Sequence, residues 1–164
     1  MSSLHDLATI AVIGIGATAL MDLGLALQKR LGVRTLDFAH IGRWAGHLLR
    51  GRFAHAAIAQ AAPIRGERAW GWLTHYAVGI GFAGVLVGIE GPGWARSPSL
   101  WPAVAVGIGT WVLPLFVMQP AMGAGIASSR TPTPVKNCVR SLANHTVFGL
   151  GLYVSAVVVA LIAQ

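Results

Sequence analysis

Four long apolar segments divide this chain, and its polar residues are concentrated between them. The apolar segments are residues 7–27, 70–89, 100–118 and 142–162. Each has roughly the 20 residues that an α-helix needs to cross the hydrocarbon core of a bilayer. Membrane β-strands need only about 10 residues with alternating apolar side chains, so these segments favour helices over a barrel. The pattern predicts an all-α integral membrane protein whose four transmembrane helices form a bundle.

The composition agrees with a membrane protein. Hydrophobic residues make up 55% of the 164 residues and charged residues only 10%, whereas a soluble domain usually carries about 25% charged residues. This length suits a single membrane domain, residues 1–164. Basic residues that flank apolar segments contact lipid headgroups, which explains the net charge of +7. We therefore expect the lipid bilayer as a partner and no nucleic acid.

Lysine and arginine are distributed unevenly among the three loops. Eight lie in loop 28–69, three in loop 119–141 and one in loop 90–99. Loops rich in lysine and arginine remain in the cytosol. The distribution predicts that both long loops lie in the cytosol and both termini on the other side of the membrane.

The first long loop contains a segment with helical periodicity, residues 38–50. On a helical wheel its apolar side chains share one face and its basic side chains share the other. Asp37 is positioned to cap the N-terminus of this helix. We expect an amphipathic cytosolic helix at the membrane interface, with Arg43, His47 and Arg50 contacting lipid headgroups.

The two halves of the chain resemble each other. Residues 73–81 and 143–151 both contain the pattern His-x-x-x-Gly-x-Gly, and residues 13–16 match residues 106–109. The first and third spans run inward and the second and fourth run outward. The pattern predicts two helix hairpins that form a parallel repeat, related by a pseudo-two-fold axis along the membrane normal.

Polar side chains inside the apolar segments are the candidates for function. Asp22 lies about 8 Å from the inner end of the first span, at ~1.5 Å per residue. An ionisable group inside a bilayer is costly and usually faces the bundle interior. The candidate solute- or proton-binding residues are Asp22, His75, His145, Gln119, Thr18 and Asn144. The alternative is a structural role, in which these side chains only fix helix register by hydrogen bonding.

Three functions fit these residues. A transporter or channel-like binder of a small solute or ion needs only Asp22 and the two histidines as titrating groups. A membrane redox protein could bind copper through imidazole and thioether ligands, or haem between two histidines. Its candidate ligands are His75, His145, Met118 and Met122. A structural or accessory subunit is the third function.

We expect the transporter or binder, with no cofactor and no enzymatic activity. Four helices form a thin wall around any pathway, so we also expect a homo-oligomer.

Two prolines mark the third span. Pro114 lies within it and Pro120 at its inner end, and each removes a backbone hydrogen bond. We expect either a broken or re-entrant helix, which is tolerated where it lines protein or a water cavity, or a kinked helix that continues into the cytosol.

Short motifs spread along the chain carry a resemblance to a known family. They are Gly14-Ile15-Gly16-Ala17-Thr18, Met21-Asp22, Gly42-Arg43-Trp44, Gly46-His47, Gly66-Glu67-Arg68, Gly71-Trp72, His75-Tyr76, Met118-Gln119-Pro120, Thr131-Pro132 and His145-Thr146-Val147-Phe148-Gly149. On these motifs the chain resembles small bacterial inner-membrane proteins of unknown function, domain of unknown function 2938. The resemblance implies a bacterial protein with four spans but no activity. Together with the basic loops it leads us to expect a protein of the bacterial inner membrane with both termini in the periplasm. Its motifs in the first long loop imply that this loop is more than an anchor.

Reporter fusions test the predicted orientation. Fusions after residues 60 and 135 should report a cytosolic location, because the basic residues surround these positions. A fusion at residue 164 should report the periplasm. A cytosolic C-terminus would contradict both the orientation and the parallel repeat.

Overall fold

Helices make up the regular secondary structure of residues 3–33 and 35–163, which the computed structural model describes, and no strand occurs there. Arg34 of the first basic loop and Gln164, at the predicted periplasmic C-terminus, lie outside the described residues. The α-helices are α1 (Ser3–Arg30), α2 (Phe38–Leu48), α3 (Glu67–Glu90), α4 (Leu100–Thr110), α5 (Gln119–Ala121) and α6 (Pro134–Ile162). Short 3₁₀ helices occur at Ile58–Gln60 and Ile126–Ser128, and a π-helical segment at Pro114–Met118.

Four helical stretches are long and apolar enough to cross a membrane. They are Leu4–Arg30, Glu67–Glu90, Leu100–Ala121 and Pro134–Ile162. Each contains one of the apolar segments predicted from the sequence, which confirms the all-helical class. The last stretch begins earlier than its apolar segment, at Pro134. Proline suits the first position of a helix because its missing N–H would have no partner there.

The third stretch is irregular where the prolines fall. Gln119 N–H donates to Pro114 O, five residues earlier, which defines the π-helical segment. Pro114 and Pro120 have no N–H, so both interrupt the regular ladder of helical hydrogen bonds. The helix ends at Ala121, and the chain turns at Gly123 with φ of 93°. A kinked helix that simply continues beyond Ala121 is therefore excluded.

The chain divides into two compact units. Unit 1 consists of Met1–Val33, Tyr76–Thr110 and Ala143–Gln164, and unit 2 of Arg34–His75 and Trp111–Leu142. The core of unit 1 contains three large side chains that are completely buried, Ile13, Leu86 and Leu152. It also contains several alanines, which allow helices to pack closely.

Glycine contacts set the helix spacing in unit 1. A Cβ added to Gly14 would lie 2.5 Å from Ile80 Cα, and one added to Gly107 would lie 2.5 Å from Gly149 Cα. Such contacts are shorter than van der Waals packing allows, so these helix backbones touch directly. The proposed repeat aligns Gly14 with Gly107 and the His-x-x-x-Gly segments with each other. The two contacts are consistent with that alignment, and the repeat itself remains a prediction.

Unit 2 contains a similar backbone contact between α2 and the start of α3. A Cβ on Gly42 would collide with the carbonyl oxygen of Glu67, and one on Gly71 with that of Phe38. The predicted α2 is present, and Asp37 caps it by accepting a hydrogen bond from Ala39 N–H at 2.9 Å.

Two glycines on α4 provide a matched test of this packing. Gly107→Ala should lower the thermal stability of the detergent-solubilised protein, because overpacking costs about 1–3 kcal/mol. Gly109→Ala is the control, since a Cβ at Gly109 meets no atom within 4 Å, and it should leave the melting temperature unchanged or slightly raised. Equal melting temperatures for the two variants would contradict the backbone contact at Gly107.

Candidate functional site

An ion pair in unit 2 joins α2 to the first residue of α3. Arg43 Nη2 lies 2.8 Å from Glu67 Oε1 and Arg43 Nε lies 2.9 Å from Glu67 Oε2. The two side chains are only 12% and 20% exposed. Two parallel N–H···O bonds between guanidinium and carboxylate form a strong and geometrically specific pair. The contact between Gly42 and Glu67 brings the two helices close enough for this pair to form.

Arg43 also holds the segment that connects the two helices, residues 51–66, which we call the clasp loop. Its Nη1 group lies 3.0–3.1 Å from the carbonyl oxygens of Ile58, Ala59 and Ala61. The hydrogen bonds to Glu67 are the main cause that raises the pKa of Arg43 above its ordinary value. Arg43 therefore fixes both a helix and a loop, and its charge is permanent.

Two buried histidines hold the other end of the clasp loop. His47 Nδ1 lies 2.7 Å from His55 Nε2, and each residue is only 6% exposed. His55 N–H donates to Ala121 O at 2.8 Å, so the loop is attached to the end of α5. His55 Nδ1 is buried and has no hydrogen-bond partner. Burial lowers the pKa of His55 below its ordinary value, and the positive charge of Arg52 and the neighbouring His47 lower it further.

Two of the three residues expected to contact lipid headgroups contact other protein groups instead. Arg43 and His47 have protein partners, and His47 is buried. The clasp loop contacts Arg43 and His47, two residues of the face that was expected to contact headgroups. Headgroup contact by these two residues would require their present contacts to open. Arg50 is exposed, and headgroup contact by all three remains a prediction.

Gln119, the first residue of α5, contacts a tight turn of unit 2. Its Oε1 accepts a hydrogen bond from the hydroxyl of buried Ser128 at 3.0 Å, and the thiol of Cys138 donates to Ala127 O at 3.2 Å. Ala127 and Ser128 have φ of 50° and 60°, a left-handed conformation that costs roughly 1–2 kcal/mol per residue. The two side-chain hydrogen bonds help to stabilise that turn.

His75 lies in an aromatic cluster of unit 2. Phe38 and Trp72 stack with ring centroids 4.1 Å apart, and the His75 ring lies 4.9 Å from that of Phe38. Met118 belongs to the π-helical segment of the same unit, and Met122 is buried beyond α5. No group of three His, Cys, Asp or Glu side chains placed to hold a metal occurs in the described part of the chain. Copper or haem binding remains a prediction.

Unit 1 contains the carboxylate that the sequence singles out. The hydroxyl of Tyr76, on α3, donates a hydrogen bond to Asp22 Oδ2 on α1 at 2.9 Å. Both residues lie inside stretches that could span a membrane. The neighbouring Thr18 is buried, and its hydroxyl donates to Gly14 O at 2.8 Å.

The other candidates of unit 1 are also hydrogen-bonded to residues of neighbouring helices. Thr110 Oγ1 and His145 Nδ1 lie 3.0 Å apart, and Gln28 Nε2 donates to Asn144 Oδ1 at 2.6 Å. Unit 1 therefore holds four of the six candidates, Asp22, Thr18, His145 and Asn144, whereas His75 and Gln119 belong to unit 2. The roles assigned to all six remain predictions.

Sequence reasoning did not assign a site role to Tyr76, Gln28, Glu67 or His55. Tyr76 was detectable, because a phenol inside a span needs a hydrogen-bond partner. Glu67 was visible as part of a family motif. His55 lies in a stretch without periodicity, so the sequence contains no signal that places it beside His47.

Four helices able to cross a membrane, with polar side chains hydrogen-bonded between them, indicate a multi-pass membrane protein. The family model described as "Protein of unknown function (DUF2938)" matches residues 11–159. The chain therefore belongs to this family, as its motifs indicated. Comparison with curated proteins and with solved structures gave no significant match.

The Arg43–Glu67 pair can be tested by neutralising it. Arg43→Gln should destabilise the protein by about 1–3 kcal/mol, because it leaves the partly buried carboxylate of Glu67 without its counter-charge. It should also make residues 51–66 sensitive to protease. Arg65→Gln, which removes an exposed arginine of the same loop, is the control and should change neither property. Unchanged protease resistance in Arg43→Gln would show that other contacts hold the loop.

The buried histidine pair predicts a loss of loop stability in acid. The folded state disfavours protonated His55, so stability is highest above the ordinary histidine pKa of about 6.5. It declines as pH falls from there toward the lower pKa of the folded state. Relative to the intrinsic rate at each pH, hydrogen exchange of residues 51–60 should therefore accelerate as the pH falls from 7.5 to 5.5. His55→Gln should remove this dependence, whereas His5→Gln at an exposed position should retain it. The same acceleration in His55→Gln would contradict this origin.

Proposed function

We propose that this protein is a small transporter or channel-like binder of a proton or a small cation, with its site around Asp22 in unit 1. The observation that supports the proposal is the Asp22–Tyr76 hydrogen bond inside two membrane-length helices. Carboxylates inside transmembrane helices are rare, and they usually mark ion pathways or proton relays.

The chemistry of the site favours a cation. A charged carboxylate in an apolar span is stabilised by hydrogen-bond donors or by a cation. Tyr76 supplies a donor without adding positive charge. A bound proton or small cation would neutralise Asp22, and its release would restore the anion stabilised by Tyr76. This alternation between two charge states is the elementary step of proton- or cation-coupled transport.

Other polar groups of unit 1 could extend such a pathway. His145 next to Thr110 and Asn144 next to Gln28 are paired by hydrogen bonds. Hydroxyl, amide and imidazole groups can exchange hydrogen-bond partners with a passing ion or water at low cost. We place the protein in the bacterial inner membrane with both termini in the periplasm, on the basis of its basic loops.

Cation flux into liposomes tests the proposal. Purified protein is reconstituted with an entrapped pH dye, and a potassium diffusion potential drives proton entry. Parallel vesicles contain a sodium-sensitive dye. The wild type should conduct one of these cations above the rate of empty liposomes, and Asp22→Asn should abolish the excess. Tyr76→Phe should give an intermediate rate, because it removes one donor and leaves the carboxylate.

Glu90→Gln is the matched control, since it neutralises an exposed carboxylate at the end of α3, and it should conduct like the wild type. The melting temperature of each variant establishes whether it is folded. If the wild type conducts neither cation, or folded Asp22→Asn conducts normally, the proposal is wrong and the Asp22–Tyr76 contact is structural.

A further inference from the structure

Unit 1 contains a cavity far from Asp22. It has a volume of about 210 Å³ and lies between the first turns of α1, the last turns of α3 and α6, and the connection from α3 to α4. Asp6, on its rim, is sixteen residues before Asp22 on the same helix, which corresponds to ~24 Å along the axis. The cavity is therefore a separate feature from the proposed cation site.

The connection that closes the cavity has a defined structure. Trp94 and Ala95 are buried, although they lie in a short loop between two helices. Trp94 Nε1 donates to Ser99 O at 3.3 Å, and the N–H groups of Arg96 and Ser97 both donate to Gly93 O. These contacts hold the backbone of Arg96 in place at the cavity.

The cavity is lined by two side chains of opposite charge and by apolar side chains. The apolar side chains include Ile10, Val87 and Val159, while Asp6 and Arg96 contribute a carboxylate and a guanidinium. A guanidinium has five N–H donors, so it can bind an incoming anion while it keeps other contacts. It matches carboxylate and phosphate groups in a bidentate geometry. A carboxylate such as that of Asp6 suits a primary ammonium group.

We propose that this cavity binds a small zwitterion with an apolar side chain, its anionic group on Arg96 and its primary ammonium on Asp6. The volume is below the ~300–1,000 Å³ of pockets for drug-sized ligands. A cavity of this size therefore suits a small ligand such as a free aliphatic amino acid. The headgroup of phosphatidylethanolamine presents the same pair of charges, so it is the second source of this chemistry.

Three ligands distinguish the contribution of Asp6 from that of Arg96, because one carries both charges and each of the others carries only one. Protein in phosphatidylcholine nanodiscs, whose lipid has no primary ammonium, is titrated calorimetrically with leucine, 4-methylpentanoate and 3-methylbutylamine. Leucine should bind at least about tenfold more tightly than either analogue, because each analogue lacks one charge-assisted hydrogen-bonding group. Asp6→Asn should remove the preference for leucine over 4-methylpentanoate. Arg96→Gln should remove the preference over 3-methylbutylamine.

Two control variants and a measurement of lipid retention complete the test. Glu90→Gln and Arg65→Gln, which change charges that do not line the cavity, should leave the affinity for leucine unchanged. Native mass spectrometry measures retention of phosphatidylethanolamine against phosphatidylglycerol. If leucine does not bind but phosphatidylethanolamine is retained and Arg96→Gln releases it, the zwitterion is the lipid headgroup.

Equal binding of all three ligands would overturn the proposal, as would the absence of both leucine binding and selective lipid retention. Because these measurements do not involve Asp22 or cation flux, their failure would leave the proposed transport function unaffected. Conversely, absence of cation flux would leave the proposed binding of a zwitterion in this cavity unaffected.

Discussion

Direct contact between helix backbones is the constraint on which the other interactions of each unit depend. Inside a bilayer the lipid tails are as apolar as the side chains, so helices associate through close packing rather than through a hydrophobic driving force. In unit 1 this contact occurs at Gly14 and Gly107, and in unit 2 at Gly42. Side-chain hydrogen bonds of 2.8–2.9 Å, such as Arg43–Glu67 and Tyr76–Asp22, require helices held at that separation. A methyl group at these glycines would move the partners out of range.

Close packing also determines how each polar side chain is satisfied. A polar group without a partner is costly in an apolar environment, and the candidates taken from the sequence have partners. The partners are neutral inside the spans of unit 1, where Thr110 lies beside His145 and Gln28 beside Asn144. A full ion pair forms outside the apolar segments, in unit 2. This division follows from solvation, because a charge pair loses more hydration energy at greater depth.

The sequence predicted elements better than it predicted partners. Hydrophobic length located the four spans, and the helical period together with Asp37 located α2, since both signals are local. Partners such as Tyr76 for Asp22 lie 54 positions away along the chain, and no local signal pairs them. The helical wheel of α2 assigned His47 to the face expected to contact headgroups, whereas His47 is buried against His55. The wheel could not predict this contact, because residues 51–66 have no periodicity of their own.

The motifs that carry the family resemblance gain a physical explanation in unit 2. Gly42 and Gly71 allow α2 to touch α3, and Arg43 pairs with Glu67 across that contact. Trp44 Nε1 donates to Phe53 O at 2.8 Å, and His47 pairs with His55. A simple membrane anchor needs only an apolar face and some positive charge, so it does not account for a bidentate ion pair and a buried histidine pair. These contacts fix the clasp loop against α2 and the end of α5.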